Sequence, residues 1–171
     1  MGWSDRLRRR LLGTKTRPEE FAASLAETIV QSANLLQHRL EEEGFAWTDS
    51  ARAGTDECLL ECTIFEWFLR DIAASGVPRS GTEAIRRAVA GRLLVDLLRS
   101  GLTVAGLDDF DRRHRERFRE YEEGLGVSSS LQALGALAWR RISGKDQPSE
   151  RMTMLLAIRA PAELARYRGM R

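Results

Sequence analysis

The sequence predicts an all-α protein, a single-domain bundle of about six or seven helices around a largely apolar central helix at about residues 55–75. Apolar residues recur at steps of three and four along most of the chain, which is the period of an amphipathic helix. Residues that cap helices precede these stretches, and glycines follow them. No segment alternates polar and apolar residues as a strand does, and no Asn-Gly or Asp-Gly hairpin turn occurs.

The first long helix is predicted over residues 18–43. Thr16 and Glu19 have the spacing of a capping box, in which each side chain bonds a free backbone N–H of the other. Pro18 suits a first helical turn and Gly44 suits the end of a helix. One face carries the apolar residues Phe21, Leu25, Ile29, Ala33, Leu36 and Leu40.

The second helix is predicted to be the centre of the bundle. Residues 45–54 show no period and are predicted to form the longest loop. Thr55 then caps a helix that ends near Gly76 and Pro78. Apolar residues cover nearly its whole circumference, which is typical of a helix packed on several sides. They are Leu59, Leu60, Ile64, Phe65, Trp67, Phe68, Leu69 and Ile72.

Four more helices are predicted in the rest of the chain. A capping box of Ser80 and Glu83 opens the first of them, and the pair Gly124 and Gly126 ends the second. Pro161 is expected to kink or split the last helix, because proline lacks the backbone N–H of a helical hydrogen bond. Their ranges are about 82–100, 107–123, 128–143 and from 149 onward.

Two of these helices contain interior glycines, Gly91 and Gly135. Glycine in a helix interior costs roughly 1 kcal/mol relative to alanine. We therefore expect another helix to approach closely at both positions and offset that cost. The alternative is that the glycines are merely tolerated.

Charge is nearly balanced overall but segregated along the chain. The 171 residues carry 27 Lys and Arg against 25 Asp and Glu, with 43% hydrophobic residues, which suits one globular domain and excludes a disordered composition. Residues 1–17 carry a net charge of +5, residues 18–150 of −7 and residues 151–171 of +4. Either the basic ends meet the chain's own acidic middle, or they meet another molecule.

Residues 1–15 are predicted to form a short basic amphipathic helix that precedes the bundle domain at 16–171. Its apolar residues are spaced by four, and arginines cover the rest of its surface. Such a helix can contact a partner, lie on an anionic membrane, or dock on its own bundle, and isolated helices this short favour docking. The candidate contact residues are Trp3, Arg6, Leu7, Arg8, Arg9, Arg10 and Leu11.

A second candidate is an internal polar site near Glu66, Arg70 and His114. Glu66 and Arg70 are four residues apart on the apolar central helix, so one or both are expected to be partly desolvated. His114 falls in the apolar seam of a highly charged helix and titrates near neutral pH. The commoner explanation is a structural ion pair and a partly buried histidine.

The remaining motifs argue against familiar catalytic and nucleic-acid sites. No nucleophile elbow, phosphate-binding loop, dinucleotide fingerprint or zinc-protease motif occurs. Cys58 and Cys62 are interpreted as small buried hydrophobes, so neither a metal nor a cofactor is predicted. Acids and arginines alternate over residues 107–125, whereas nucleic-acid surfaces concentrate one sign, so nucleic acid is not the expected partner.

These observations lead to one main functional hypothesis. They favour a non-enzymatic, cytoplasmic helical-bundle protein that binds an unidentified protein partner through its basic ends. Two alternatives stay open: a ligand-binding or enzymatic bundle with the internal polar site, and peripheral membrane attachment through the N-terminal helix. A homo-oligomer is compatible with all three.

Overall fold

The computed structural model describes residues 18–46, 55–74, 79–99, 101, 103–128, 130–147 and 149–168. Within these ranges the protein is all-helical and contains no strand, which confirms the predicted single-domain bundle. The six helices are α1 (Pro18–Glu42), α2 (Thr55–Ala74), α3 (Arg79–Arg99), α4 (Val104–Ser128), α5 (Leu131–Ser143) and α6 (Glu150–Arg168). The predicted N-terminal helix at 1–15 lies outside the described residues and stays a prediction.

Helix α1 follows the sequence pattern closely. Its apolar stripe faces the core, with Ile29, Leu36 and Leu40 fully buried. The helix ends at Gly44, whose φ of +94° is strained for any side chain with a Cβ atom. The chain then turns inward, so that Phe45 packs edge-on against Trp139 of α5 with ring centroids 5.0 Å apart.

Helix α2 is the centre of the bundle, as predicted. It packs against α1, α4, α5 and α6, whereas α3 packs against α1 and α4. Every residue from 61 to 71 is buried. Phe65 and Phe68 are fully buried on its circumference, and the aromatic ring of Tyr121 on α4 packs against both. The helix is therefore surrounded over three turns.

Helices α3 and α4 are longer than predicted. Helix α3 begins at Arg79, ahead of the proposed capping box. Helix α4 begins at Val104, after Thr103, whose hydroxyl accepts a hydrogen bond from a first-turn N–H at 3.2 Å. The prediction that Gly124 ends α4 is wrong, because the helix continues to Ser128. A Cβ atom on Gly124 would lie 2.6 Å from a terminal methyl carbon of Leu137 on α5, so the leucine side chain would have to move to admit one.

Helices α5 and α6 approach each other closely at Gly135. A Cβ atom there would lie 2.4 Å from the carbonyl oxygen of Thr153, so the predicted close approach is confirmed. For Gly91 the prediction is wrong, because this exposed glycine has open space beside it. Pro161 does not split the last helix, since α6 runs unbroken to Arg168.

None of the helices in the described part of the chain has a stretch long and apolar enough to cross a membrane.

Candidate functional site

Helix α2 carries four charged side chains into the interior, and each is bound by partners at the helix interfaces. The buried residues are Glu61, Glu66, Arg70 and Asp71. Removing a charge from water is costly unless an opposite charge and hydrogen bonds replace the solvent. Their partners therefore determine what chemistry α2 offers.

Glu66 lies at the junction of three helices. Its Oε2 accepts a hydrogen bond from Nη1 of Arg70 at 2.6 Å, and its Oε1 accepts one from Nε of Arg159 on α6. Arg70 also donates to the hydroxyl of Ser32 on α1 at 2.6 Å. Arg159 donates to the carbonyl oxygen of Ser32 at 3.3 Å. Both oxygens of the Glu66 carboxylate are thus occupied by guanidinium groups.

Glu61 and Glu57 bind arginines of α4. Arg117 donates to Glu61 from Nε at 3.1 Å, and Arg113 donates to Glu57 from Nη1 at 2.7 Å. Burial alone would lower the pKa of Arg113, but its hydrogen bonds to Glu57 and Asp109 raise that pKa above the ordinary value. Both arginines therefore stay charged. Two arginines of the highly charged helix thus face inward, while Arg112 and Arg115 form exposed ion pairs with Asp109 and Asp111.

Asp71 completes the set, because Arg86 of α3 donates to both of its carboxylate oxygens. The charged residues of α2 therefore contact α1, α3, α4 and α6. Bidentate pairs of this kind impose geometry as well as attraction. The arrangement fixes how the helices are aligned with one another, and its carboxylates are already occupied by arginines.

His114 lies in a separate aromatic cluster between α2 and α4. Its ring stacks on Trp67 with centroids 4.6 Å apart, and Phe118 packs against it edge-on at 5.8 Å. The nearest carboxylate oxygen belongs to Asp111, 3.7 Å from Nδ1. Burial lowers the pKa of His114, and the negative charge of Asp111 offsets this in part. Asp111 and Arg115 are its charged neighbours.

The structure thus brings two of the three residues of the predicted internal site together. Glu66 and Arg70 form a buried pair, with exposed side-chain fractions of 0% and 3%. His114 belongs to the aromatic cluster on the α4 side of α2. The N-terminal contact residues lie outside the described part of the chain, and their role stays a prediction. They are Trp3, Arg6, Leu7, Arg8, Arg9, Arg10 and Leu11.

The two cysteines are buried on α2, and neither forms a disulfide. Burial raises the pKa of Cys62 well above its ordinary value, and the neighbouring Cys58, Glu66 and Glu61 add to the shift. A thiol held in its protonated form is a poor nucleophile and a poor metal ligand. Among the residues with described positions, no group of three His, Cys, Asp or Glu side chains is arranged to hold a metal ion.

Large apolar side chains are exposed on α1 and on α6. Arg159 contacts Ser32 and Arg151 pairs with Glu43, so the two helices run antiparallel. Between these two contacts, three large apolar side chains are exposed. They are Leu35 (64% exposed) on α1, and Met154 (47%) and Ile158 (63%) on α6.

Sequence reasoning missed several members of the buried ion network. Arg159 and Arg86 are the clearest cases, since they bind carboxylates 93 and 15 residues away along the chain. The spacing of four that pointed to Glu66 and Arg70 is a signal within one helix. No local pattern identifies the distant partners. The excess of carboxylates on an apolar helix nevertheless indicates that basic side chains of other helices must bind them.

Models of known protein families, curated proteins and solved structures were each compared with this chain, and none of them matches it.

Proposed function

We propose that this protein acts by binding a macromolecular partner rather than by catalysis, and that its basic ends supply the contact. The observation that carries the proposal is the exposed apolar pair Met154 and Ile158 on α6, within the segment 151–171 of net charge +4. These residues are one helical turn apart, so both can enter the same groove of a partner.

The contact made by α6 is expected to be more apolar than electrostatic. Arg151 and Arg159, the first two arginines of the C-terminal segment, pair with Glu43 and Glu66 of the same chain. Charged groups at the rim of an interface mainly affect association rate and specificity, whereas buried apolar anchors dominate affinity. Ile158 is therefore our leading candidate for such an anchor.

An internal catalytic or ligand-binding site is less well supported. Both oxygens of the Glu66 carboxylate already accept hydrogen bonds from Arg70 and Arg159, so a ligand at this carboxylate would have to displace an arginine. We also propose a cytoplasmic location, where the thiols of Cys58 and Cys62 would stay reduced.

Cross-linking in the source cells tests the proposal. The Ile158→Glu variant and a full-length variant with Arg8, Arg9 and Arg10 changed to Ser should each recover the partner at least about tenfold less well than the wild type. Leu98→Glu is the control for the first change, because Leu98 is an exposed apolar residue on α3. The control for the second change is a variant in which the exposed Arg112, Arg115 and Arg119 of α4 are changed to Ser.

Two results would contradict the proposal. One is equal recovery of all partners by both test variants. The other is flotation of the chain with anionic but not neutral vesicles, lost at high salt, without any protein partner. That result would instead support peripheral membrane attachment.

A further inference from the structure

We infer that Met154 is an oxidation site, at which hydrogen peroxide converts the thioether to a sulfoxide and thereby weakens the partner contact of α6. This inference rests on the proposed function, because it names a way in which binding through the same residues is regulated.

The first argument is the accessibility of sulfur. The structure describes the side chains of four sulfur-containing residues, which are Cys58, Cys62, Met152 and Met154. The exposed fraction is 0% for both cysteines and 6% for Met152, whereas it is 47% for Met154. Among these four residues, Met154 is therefore the one that a dissolved oxidant reaches readily.

The second argument is that the two thiols do not compete with Met154. A cysteine reacts with peroxide as the thiolate, and its susceptibility follows its thiolate character and its exposure. Cys58 and Cys62 are both buried, and burial raises the pKa of Cys62 well above its ordinary value. A thioether has no proton to lose, so the reaction of Met154 does not depend on such an ionisation.

The reaction is the transfer of one oxygen atom to Sδ of Met154. A lone pair of the sulfur attacks an oxygen of hydrogen peroxide, so that an S–O bond forms and the O–O bond breaks. The other oxygen leaves as water with both protons. The methionine is oxidised by two electrons, and the peroxide is reduced. Methionine sulfoxide reductases reverse the change with a dithiol, which becomes a disulfide as the oxygen leaves as water.

The position of Met154 gives its oxidation a consequence for binding. Met154 and Ile158 are one helical turn apart and exposed on α6, which is the apolar pair of the proposed contact. A sulfoxide in that pair is polar, so a groove that fits the thioether would remove water from the S–O group without replacing its hydrogen bonds. Affinity for the partner should therefore fall, while the bundle stays folded because Met154 is not a core residue.

Peptide mass spectrometry of the full chain during treatment with hydrogen peroxide provides the first test. Met154 should gain an oxygen atom at least about tenfold faster than Met152, its buried neighbour two residues away. Far-ultraviolet circular dichroism should stay unchanged while Met154 is oxidised. Equal rates at the two methionines, or faster oxidation of either cysteine, would overturn the inference.

Partner recovery by cross-linking tests the consequence for binding. The proteins to follow are those whose recovery is lowered by Ile158→Glu. Peroxide treatment of the wild type should lower their recovery about tenfold, and methionine sulfoxide reductases should restore it. Each variant is compared with its own untreated form. Met154→Leu should show no effect of peroxide, whereas Met152→Leu, which keeps Met154, should respond as the wild type does.

The outcomes separate this inference from the proposed function. Undiminished recovery after oxidation of Met154 would overturn the inference and leave the proposed function in place, since the recovery would still depend on Ile158. An effect of peroxide that persists in Met154→Leu would also overturn the inference, because another residue would then be responsible. If the recovery of no protein depends on Ile158, the proposed function fails, and the inference fails with it.

Discussion

Glu66 and Arg70 are buried as a pair on α2, and each depends on the other for its place in the interior. An isolated charge of either sign would be strongly disfavoured there. The pair together with Arg159 and Ser32 holds α1, α2 and α6 in one alignment. The net contribution of such a pair to stability is small, but loss of one member is costly.

We therefore predict that Glu66→Leu lowers the free energy of unfolding by about 3–5 kcal/mol, because it leaves Arg70 buried without its carboxylate. The double variant Glu66→Leu with Arg70→Met should recover most of that loss, since it removes both fully buried charges and leaves only Arg159, whose side chain is 25% exposed and can reach solvent. Urea unfolding measures both values. Glu42→Gln, at an exposed ion pair, is the control and should change stability by less than about 1 kcal/mol. A single variant no worse than this control would contradict the prediction.

The burial of His114 leads us to predict that the stability of the protein depends on pH. Burial holds its pKa below the ordinary value of 6.5, so the unfolded chain binds a proton more readily than the folded one. Stability from this group is therefore complete above pH 6.5 and is lost as the pH falls from there towards the folded pKa. His114→Gln should flatten the change in unfolding free energy between about pH 7.5 and 5.

The control for this measurement is His38→Gln, which removes the exposed histidine of α1. It should keep the wild-type pH dependence. If both variants kept it, carboxylates and not His114 would be responsible.

At the scale of helices, the capping residues and the apolar period predicted the helix bounds well where these signals are local. The prediction of α1 over 18–43 and of the stop at Gly44 agrees with Pro18–Glu42 and a left-handed glycine. The predicted end of α4 was wrong, because a glycine such as Gly124 looks the same in a sequence whether it ends a helix or allows a neighbouring helix to approach. Only the position of Leu137 on α5 distinguishes the two.

The two interior glycines give a matched prediction. Gly135→Ala should destabilise the protein by about 1–3 kcal/mol, because the new methyl group would overlap the backbone of α6 at Thr153 and Ala157. Gly91→Ala should stabilise it by roughly 0.5–1 kcal/mol, because alanine favours the helix and has open space there. Thermal unfolding of both variants measures the difference. Equal effects of the same sign would show that the close contact at Gly135 does not exist.

At the scale of the whole molecule, α2 connects most of the bundle. It packs against four of the other five helices, and its Asp71 binds the fifth through Arg86. The loss of any neighbouring helix would expose charges and aromatic rings of α2 together. Partial unfolding is therefore expected to be nearly as costly as complete unfolding.

This connectivity predicts a single cooperative transition. Near-ultraviolet circular dichroism, which reports aromatic packing, and far-ultraviolet circular dichroism, which reports helix content, should change at the same urea concentration. Earlier loss of the near-ultraviolet signal, or two separate steps, would mean that part of the bundle unfolds independently.

The segregated charge of the chain also belongs to this scale. The sequence posed the question of whether the basic ends meet the acidic middle. Two C-terminal arginines do so, because Arg151 pairs with Glu43 and Arg159 with Glu66. Met154 and Ile158 are exposed on the described part of α6, which moves the expected partner contact from charge towards these two residues.

The sequence by itself determined the all-α class, the central position of α2 and the inward face of α1. The hydrophobic period, the helix caps and the composition depend on residues that are close together in the chain, so all three can be read from the sequence. That Arg159 meets Glu66, and that Gly135 is crowded while Gly91 has open space beside it, follows from the tertiary structure alone. These facts depend on which distant residues the packing of helices brings together, and no local pattern encodes that.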